Sequence, residues 1–241
     1  MSSTLGAIFI VSGLLEIIIP LGLGFYVTRK FGTSWKSWFV GALMFLLSLV
    51  RIPLNTYANQ IVLAAPMSPM TYTLLALVPS FTAGVFEELA RYVGFRFIIK
   101  DDSYEKGVTY GAGHGGIESI FIVGLSVLST GVILFTSPET LPPAQLEMIL
   151  TTPLYLPLVG LYERIMAMIV HIGFSLIVLE SLRRKDIKYL VAAIVLHSLM
   201  NFLAVSVVGY SILYSEILVT GFALGLGYWT YNKLRDEGVI G

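Results

Sequence analysis

The chain has 241 residues, of which 56% are hydrophobic and only 12% charged, and its mean hydropathy is +0.83. Soluble globules carry about 25% charged residues, so a water-soluble domain is excluded and a polytopic membrane protein is expected. Its 15 basic residues balance 15 acidic ones, which removes any case for a nucleic-acid partner, and the absence of cysteine removes thiol nucleophiles and thiolate metal ligands.

A hydrocarbon core about 30 Å thick needs roughly 20 apolar residues in a helix. Seven stretches qualify, at approximately 5–28, 37–58, 71–99, 107–135, 154–180, 188–208 and 212–232. They predict an all-α transmembrane bundle forming one integral membrane domain over residues 1–241, with its catalytic core at approximately 71–208. The first stretch lacks a basic leader and a small-residue cleavage site and carries Glu16, so it is expected to stay as a span rather than be removed as a signal peptide. Basic residues follow the odd-numbered spans: Arg29, Lys30 and Lys36; Lys100 and Lys106; Arg183, Arg184, Lys185 and Lys188; Lys233 and Arg235. The other loops hold neither Lys nor Arg, which by the positive-inside rule predicts an outside N-terminus and a cytoplasmic C-terminus in a multi-pass protein of the cell membrane.

Ionisable groups inside such spans cost roughly 2.5–3.5 kcal/mol each on insertion scales and mark functional sites by default. Glu16 in the first span, Arg51 in the second, Arg96 in the third and Glu216 in the seventh read as peripheral, with interfacial or structural roles. The third span holds Pro79, which predicts a tilt, a kink or an interfacial end. It also holds Phe86-Glu87-Glu88-Leu89-Ala90-Arg91, placing Arg91 one helical turn from both carboxylates. Two adjacent carboxylates cannot both be charged cheaply in a low dielectric, so one of them suits acid–base work. The plainer alternative is an Arg–Glu clamp between helices. The fourth span contains Tyr110-Gly111-Ala112-Gly113-His114-Gly115-Gly116-Ile117-Glu118, where small residues let other backbones approach. Glu118 lies one turn from His114 on the same face and can orient its ring or share its water.

The fifth span carries Glu163, Arg164 and His171. Nearly two turns separate Arg164 from His171, so these two share a face while Glu163 points away from it, and the Glu163–Arg164 pair suits a supporting brace. For His171 a structural hydrogen bond and a site role stand equally open. The sixth span spaces His197 and Asn201 by four residues, so both face the bundle as neutral donors suited to an oxyanion, or as polar glue between helices.

The inventory narrows the chemistry further. All four aspartates, Asp101, Asp102, Asp186 and Asp236, fall in loops or tail, so an aspartyl dyad within the bilayer has no members. No G-x-S-x-G elbow and no H-E-x-x-H helix is present. Glutamate, histidine and asparagine remain, with or without a metal.

These motifs resemble the superfamily of CAAX-processing and bacteriocin-processing membrane proteases: a double Glu with Arg (Glu87, Glu88, Arg91), an aromatic four residues before a His (Tyr110, His114), and H-x-x-x-N (His197, Asn201). Here two residues rather than three precede the Arg, and Tyr replaces the usual Phe. Through G-x-G-H-G-G-x-E and the E-R-x-x-A-x-x-x-H string ending at His171, the chain looks closest to the YhfC family of intramembrane proteases. The resemblance spans roughly residues 80–205. It implies a metal-free glutamic mechanism in which Glu87 with His114 activates water and His197 with Asn201 binds the oxyanion.

The expected function is therefore hydrolysis of a peptide bond in a membrane-embedded or lipid-anchored segment. Glu87, Glu88, His114, His197 and Asn201 are the catalytic candidates, supported by Arg91, Glu118, Glu163, Arg164 and His171. No cofactor is the preferred expectation. A zinc ion held by His114, His171 and His197 is the alternative within the same class. A proton-coupled transporter or channel and a non-catalytic scaffold are the readings from other classes.

Overall fold

A computed structural model describes residues 2–241. The protein is 85% helical with no strand among the described residues, and seven helices are long and apolar enough to cross a membrane. They are α1 (Ser3–Lys30), α2 (Trp35–Leu63), α3 (Pro69–Ile99), α4 (Tyr104–Thr136), α5 (Leu156–Arg183), α6 (Lys188–Val208) and α7 (Ile212–Asp236). Each expected span has its helix. The long connection expected between the fourth and fifth holds a 3-10 turn, Pro138–Thr140, and a short surface helix, Pro143–Leu150.

Local sequence explains the ends and irregularities. The Ser68 hydroxyl accepts the Thr71 N–H at 3.2 Å and Pro69 opens α3, a standard helix start. Pro79 lies inside α3 without interrupting it. The last turn of α3 is instead a π-helical segment, Gly94–Ile99, and a second, Ser119–Gly124, begins directly after Glu118 in α4. Such segments are rare and concentrate at functional sites. Helix α2 tightens at Leu49–Val50 and restarts at Arg51. Pro53 has no N–H to offer the Leu49 carbonyl, which accepts from Ile52 at 2.8 Å.

Helix α4 runs between α2 and α5, α3 packs along α6, α7 closes against α5 and α6, and α1 covers the far half of α4. Glycine sets the closest of these distances. A Cβ on Gly113 would stand 2.0 Å from the Trp38 carbonyl oxygen, and one on Gly41 2.1 Å from the Tyr110 carbonyl oxygen. The obstacles are backbone atoms, so no rotamer change relieves them. Gly113→Ala is expected to force α2 and α4 apart and destabilise the bundle by about 1–3 kcal/mol or more. Gly22→Ala, with nothing within 4 Å of the new carbon, should melt like the parent. Equal melting temperatures for both variants in detergent would refute this account of the contact.

At the end of the bundle that carries the basic residues, buried Glu180 accepts from the Tyr104 hydroxyl and pairs with Lys233 at 3.3 Å and Arg184 at 2.5 Å. This clamp fastens α7 to α4 and α5. Beside it the Asp101 carboxyl is held down to about 2, chiefly by the hydrogen bond from Lys106 and then by the Ser103 N–H.

Candidate active site

The side chains singled out in α3 to α6 converge in the interior. Glu87, Glu88, Arg91, His114, His171 and His197 are all buried. Glu87 is the hub: its Oε1 accepts from Arg51 Nη2 at 2.8 Å, and its Oε2 lies 3.2 Å from His114 Nε2, 3.9 Å from Arg91 Nη2 and 4.0 Å from His197 Nε2. Glu88 turns to the other side of α3, where its Oε1 accepts from Arg91 Nη1 and from His197 Nδ1, the latter at 2.6 Å. Arg91 also donates from Nη2 to His171 Nδ1 at 2.5 Å, and His171 Nε2 meets Glu118 Oε2. Behind Glu118, Arg164 donates to Glu118 at 3.1 Å and to Glu163.

The small residues of α4 make this convergence possible. Gly115 leaves room for His171, whose ring atoms lie 3.0 Å from where a Cβ would stand. The His114 and His171 rings come within 5.3 Å, and His171 and His197 within 5.8 Å, centroid to centroid. Phe174 stacks on His197 at 4.9 Å and Phe45 meets His114 edge-on at 5.2 Å. The imidazoles are thus held by aromatic contacts on one side and charged partners on the other.

The hydrogen-bond partners fix which ring nitrogens carry protons. Arg91 can donate only to an unprotonated Nδ1, so the neutral His171 ring keeps its proton on Nε2, facing Glu118. Glu88 Oε1, which accepts from Arg91, also accepts from the proton-bearing Nδ1 of His197. That leaves a lone pair on His197 Nε2, directed toward Glu87. His114 Nδ1 is buried without a partner. His171 Nδ1 is thus taken by Arg91 and its Nε2 stands against Glu118, while His114 Nε2 and His197 Nε2 flank one oxygen of Glu87.

These contacts change three sequence-based expectations. Arg51, read as peripheral, lines the site and braces Glu87. The only signal for it was a guanidinium inside an apolar span, in the helix that Pro53 interrupts. Glu163, expected to point away from the face that Arg164 and His171 share, bonds Arg164 as the expected brace and also lines the same cavity. His197, expected beside Asn201 as a neutral donor, has its ring proton committed to Glu88; Asn201 alone of that pair offers a free donor to the cavity.

The cavity has a volume of about 260 Å³ and runs from Glu87 and His197 past Asn201 and Ala204 toward Val208 and Ser215, where α6 and α7 meet. Glu87, His114 and His171 each bring a ligand-type atom within 4.8 Å of the other two. Carboxylate oxygen and imidazole nitrogen form a donor set suited to zinc, and His197 has behind it the carboxylate that metal-binding imidazoles commonly have. The residues therefore fit a metal ion.

Residues 15–223 match the family described as YhfC intramembrane metalloprotease. The chain belongs to the YhfC family. It is also 35% identical over 214 residues to the "Uncharacterized membrane protein YhfC" of Bacillus subtilis (strain 168), a match covering 80% of this chain and 81% of that protein. No solved structure matches the chain significantly. The YhfC match covers all but the ends of this multi-pass membrane protein and includes every residue of the site.

Proposed function

We propose that this YhfC family member is an intramembrane peptidase that hydrolyses a membrane-embedded or lipid-anchored peptide at Glu87, with a metal ion held by Glu87, His114 and His197. One observation carries the reading: His114 Nε2 at 3.2 Å and His197 Nε2 at 4.0 Å flank the same carboxylate oxygen within a closed bundle. Two imidazoles and a glutamate are a familiar catalytic zinc set, and the family's name points the same way. A bound ion would polarise the scissile carbonyl and favour ionisation of water.

The chain's own groups supply the rest. Glu88 holds His197 through Nδ1 and is itself held by Arg91, which fixes the ring's direction. Glu118 opens partly onto the cavity and can take a proton from the attacking water and return it to the leaving amine, with His171 and Arg164 fixing its position. The Arg51 guanidinium uses one edge on Glu87 and, with the Asn201 amide, offers donors to the developing oxyanion.

The 3.2 Å contact between Glu87 and His114 also supports a second reading, the metal-free glutamic scheme in which that pair alone activates the water. Elemental analysis of the purified protein separates the two. The metal reading expects about one zinc per chain, lost in His114→Gln and His197→Gln but retained in His171→Gln, together with chelator-sensitive cleavage of a fluorogenic transmembrane peptide. Chelator-resistant cleavage by metal-free protein would establish the glutamic scheme instead. Absence of any cleavage, with proton flux in liposomes, would overturn both in favour of a transporter.

A further inference from the structure

The reaction centre is closed toward one end of the bundle and open toward the other. One helical turn from the site toward the end that carries the basic residues, each of four helices places a side chain that is at most 1% exposed: Phe95 follows Arg91 in α3, Tyr110 precedes His114 in α4, Phe174 follows His171 in α5 and Ala193 precedes His197 in α6. Phe95 stacks on Tyr110 at 4.2 Å and Phe174 on His197. Beyond this layer lie Leu176, Val178 and Leu179, all fully buried, and then the Glu180 clamp.

One turn in the opposite direction the packing gives way. Glu118, Ala167 and Asn201 line the cavity, which continues past Val205 and Val208 of α6 to Ser215 of α7. Val205 is 52% and Val208 45% exposed, so the far rim of the cavity lies at the surface. The charged groups follow the same gradient: the Glu87 and Arg91 side chains are 3% and 0% exposed, those of Glu118 and Glu163 20% and 37%. Ionisable side chains at membrane depth that protein does not fully enclose face water-filled space, so this half of the cavity is the hydrated one. His197 is nine residues from Lys188 and eleven from Val208, which at 1.5 Å per residue puts it about 14 Å from one boundary and about 16 Å from the other. Depth favours neither side, and the packing decides.

The loops at the open end, residues 64–68, 137–155 and 209–211, hold neither Lys nor Arg, while the basic clusters that mark a cytoplasmic face lie at the closed end. We propose that water and substrate reach the reaction centre from the outer face of the membrane, through the mouth at Val208 and Ser215, and that the substrates are membrane-anchored peptides whose scissile bond is presented from the outer leaflet. Segments offered from the cytoplasm meet the sealed layer of Phe95, Tyr110, Phe174 and Ala193. The peptidase reading supplies what the substrate is; the side of entry rests on the packing and the loop charges alone.

The chain contains no cysteine, so single cysteines report access. Ala204→Cys, Val208→Cys and, as a cytoplasmic marker, Ile187→Cys are treated with a small, charged, membrane-impermeant methanethiosulfonate in spheroplasts and in inside-out vesicles. Only a thiolate reacts, so labelling requires water at the position. Positions 204 and 208 are expected to react about tenfold or more faster in spheroplasts, and position 187 only in inside-out vesicles. Faster labelling of position 204 from the cytoplasmic side, or its failure to react from either side, would overturn the proposal. Modification of Val208→Cys protein should also slow cleavage of a transmembrane peptide about tenfold, and undiminished cleavage would place substrate entry elsewhere. Labelling needs no turnover, so outside access in a protein that cleaves nothing would keep the route and remove the peptidase.

Discussion

Glu87→Gln is expected to lower peptide cleavage by about 10³-fold or more and to reduce the metal bound per chain, while the bundle still folds. The substitution preserves shape and removes charge at the one carboxylate that meets Arg51, Arg91, His114 and His197 together. Arg51 then lacks its counter-charge in a buried setting, so a lower melting temperature should accompany the loss and must be measured beside it. Asn201→Ala gives a useful contrast. It removes one donor from the cavity wall and should cost about 10²-fold in turnover with metal content unchanged. Full turnover and full metal content in Glu87→Gln would show that the reaction is centred elsewhere.

The second large effect concerns stability. The Arg91 side chain is 0% exposed, pairs with Glu88 and donates to His171. Arg91→Met should destabilise the protein by about 3–5 kcal/mol, because Glu88 stays buried without its guanidinium and with only the His197 N–H left to it. Adding Glu88→Gln should recover part of that loss, since the two changes act on one pair and are not additive. Detergent melting followed by tryptophan fluorescence reads both variants. A single variant as stable as the parent would mean that the buried pair contributes nothing to the fold.

The sequence made the large-scale organisation legible because hydropathy is summed over whole helices. Seven apolar stretches became seven helices, and the glycines around His114 do admit α2 and α5 as expected. The pairing of Glu87 with His114 was anticipated from motif resemblance rather than from geometry, whereas that of Glu88 with His197 was not anticipated. Contacts depending on side-chain direction across helices were less accessible. Arg51 was misplaced because its partner, Glu87, lies in another helix. The place of Glu163 on the cavity wall turns on its rotamer, which helical spacing does not define. The proton position on His197 follows from Glu88, and the sequence offers no means of pairing those two atoms. Glu180 was overlooked entirely because its partners, Tyr104 and Lys233, are far away along the chain.

The π-helical segment Ser119–Gly124 has an implication for how this protein can vary. A helix advances about 100° per residue, so one residue more or fewer normally rotates everything beyond it. A widened turn can absorb that change locally. Deleting one residue within 119–124 would let the backbone relax to ordinary α pitch while His114 and Glu118, upstream, keep their registration with α3 and α5. The portion of α4 that rests on α1 would thereby become a tolerant stretch, where length polymorphism among homologues can accumulate without disturbing the reaction centre.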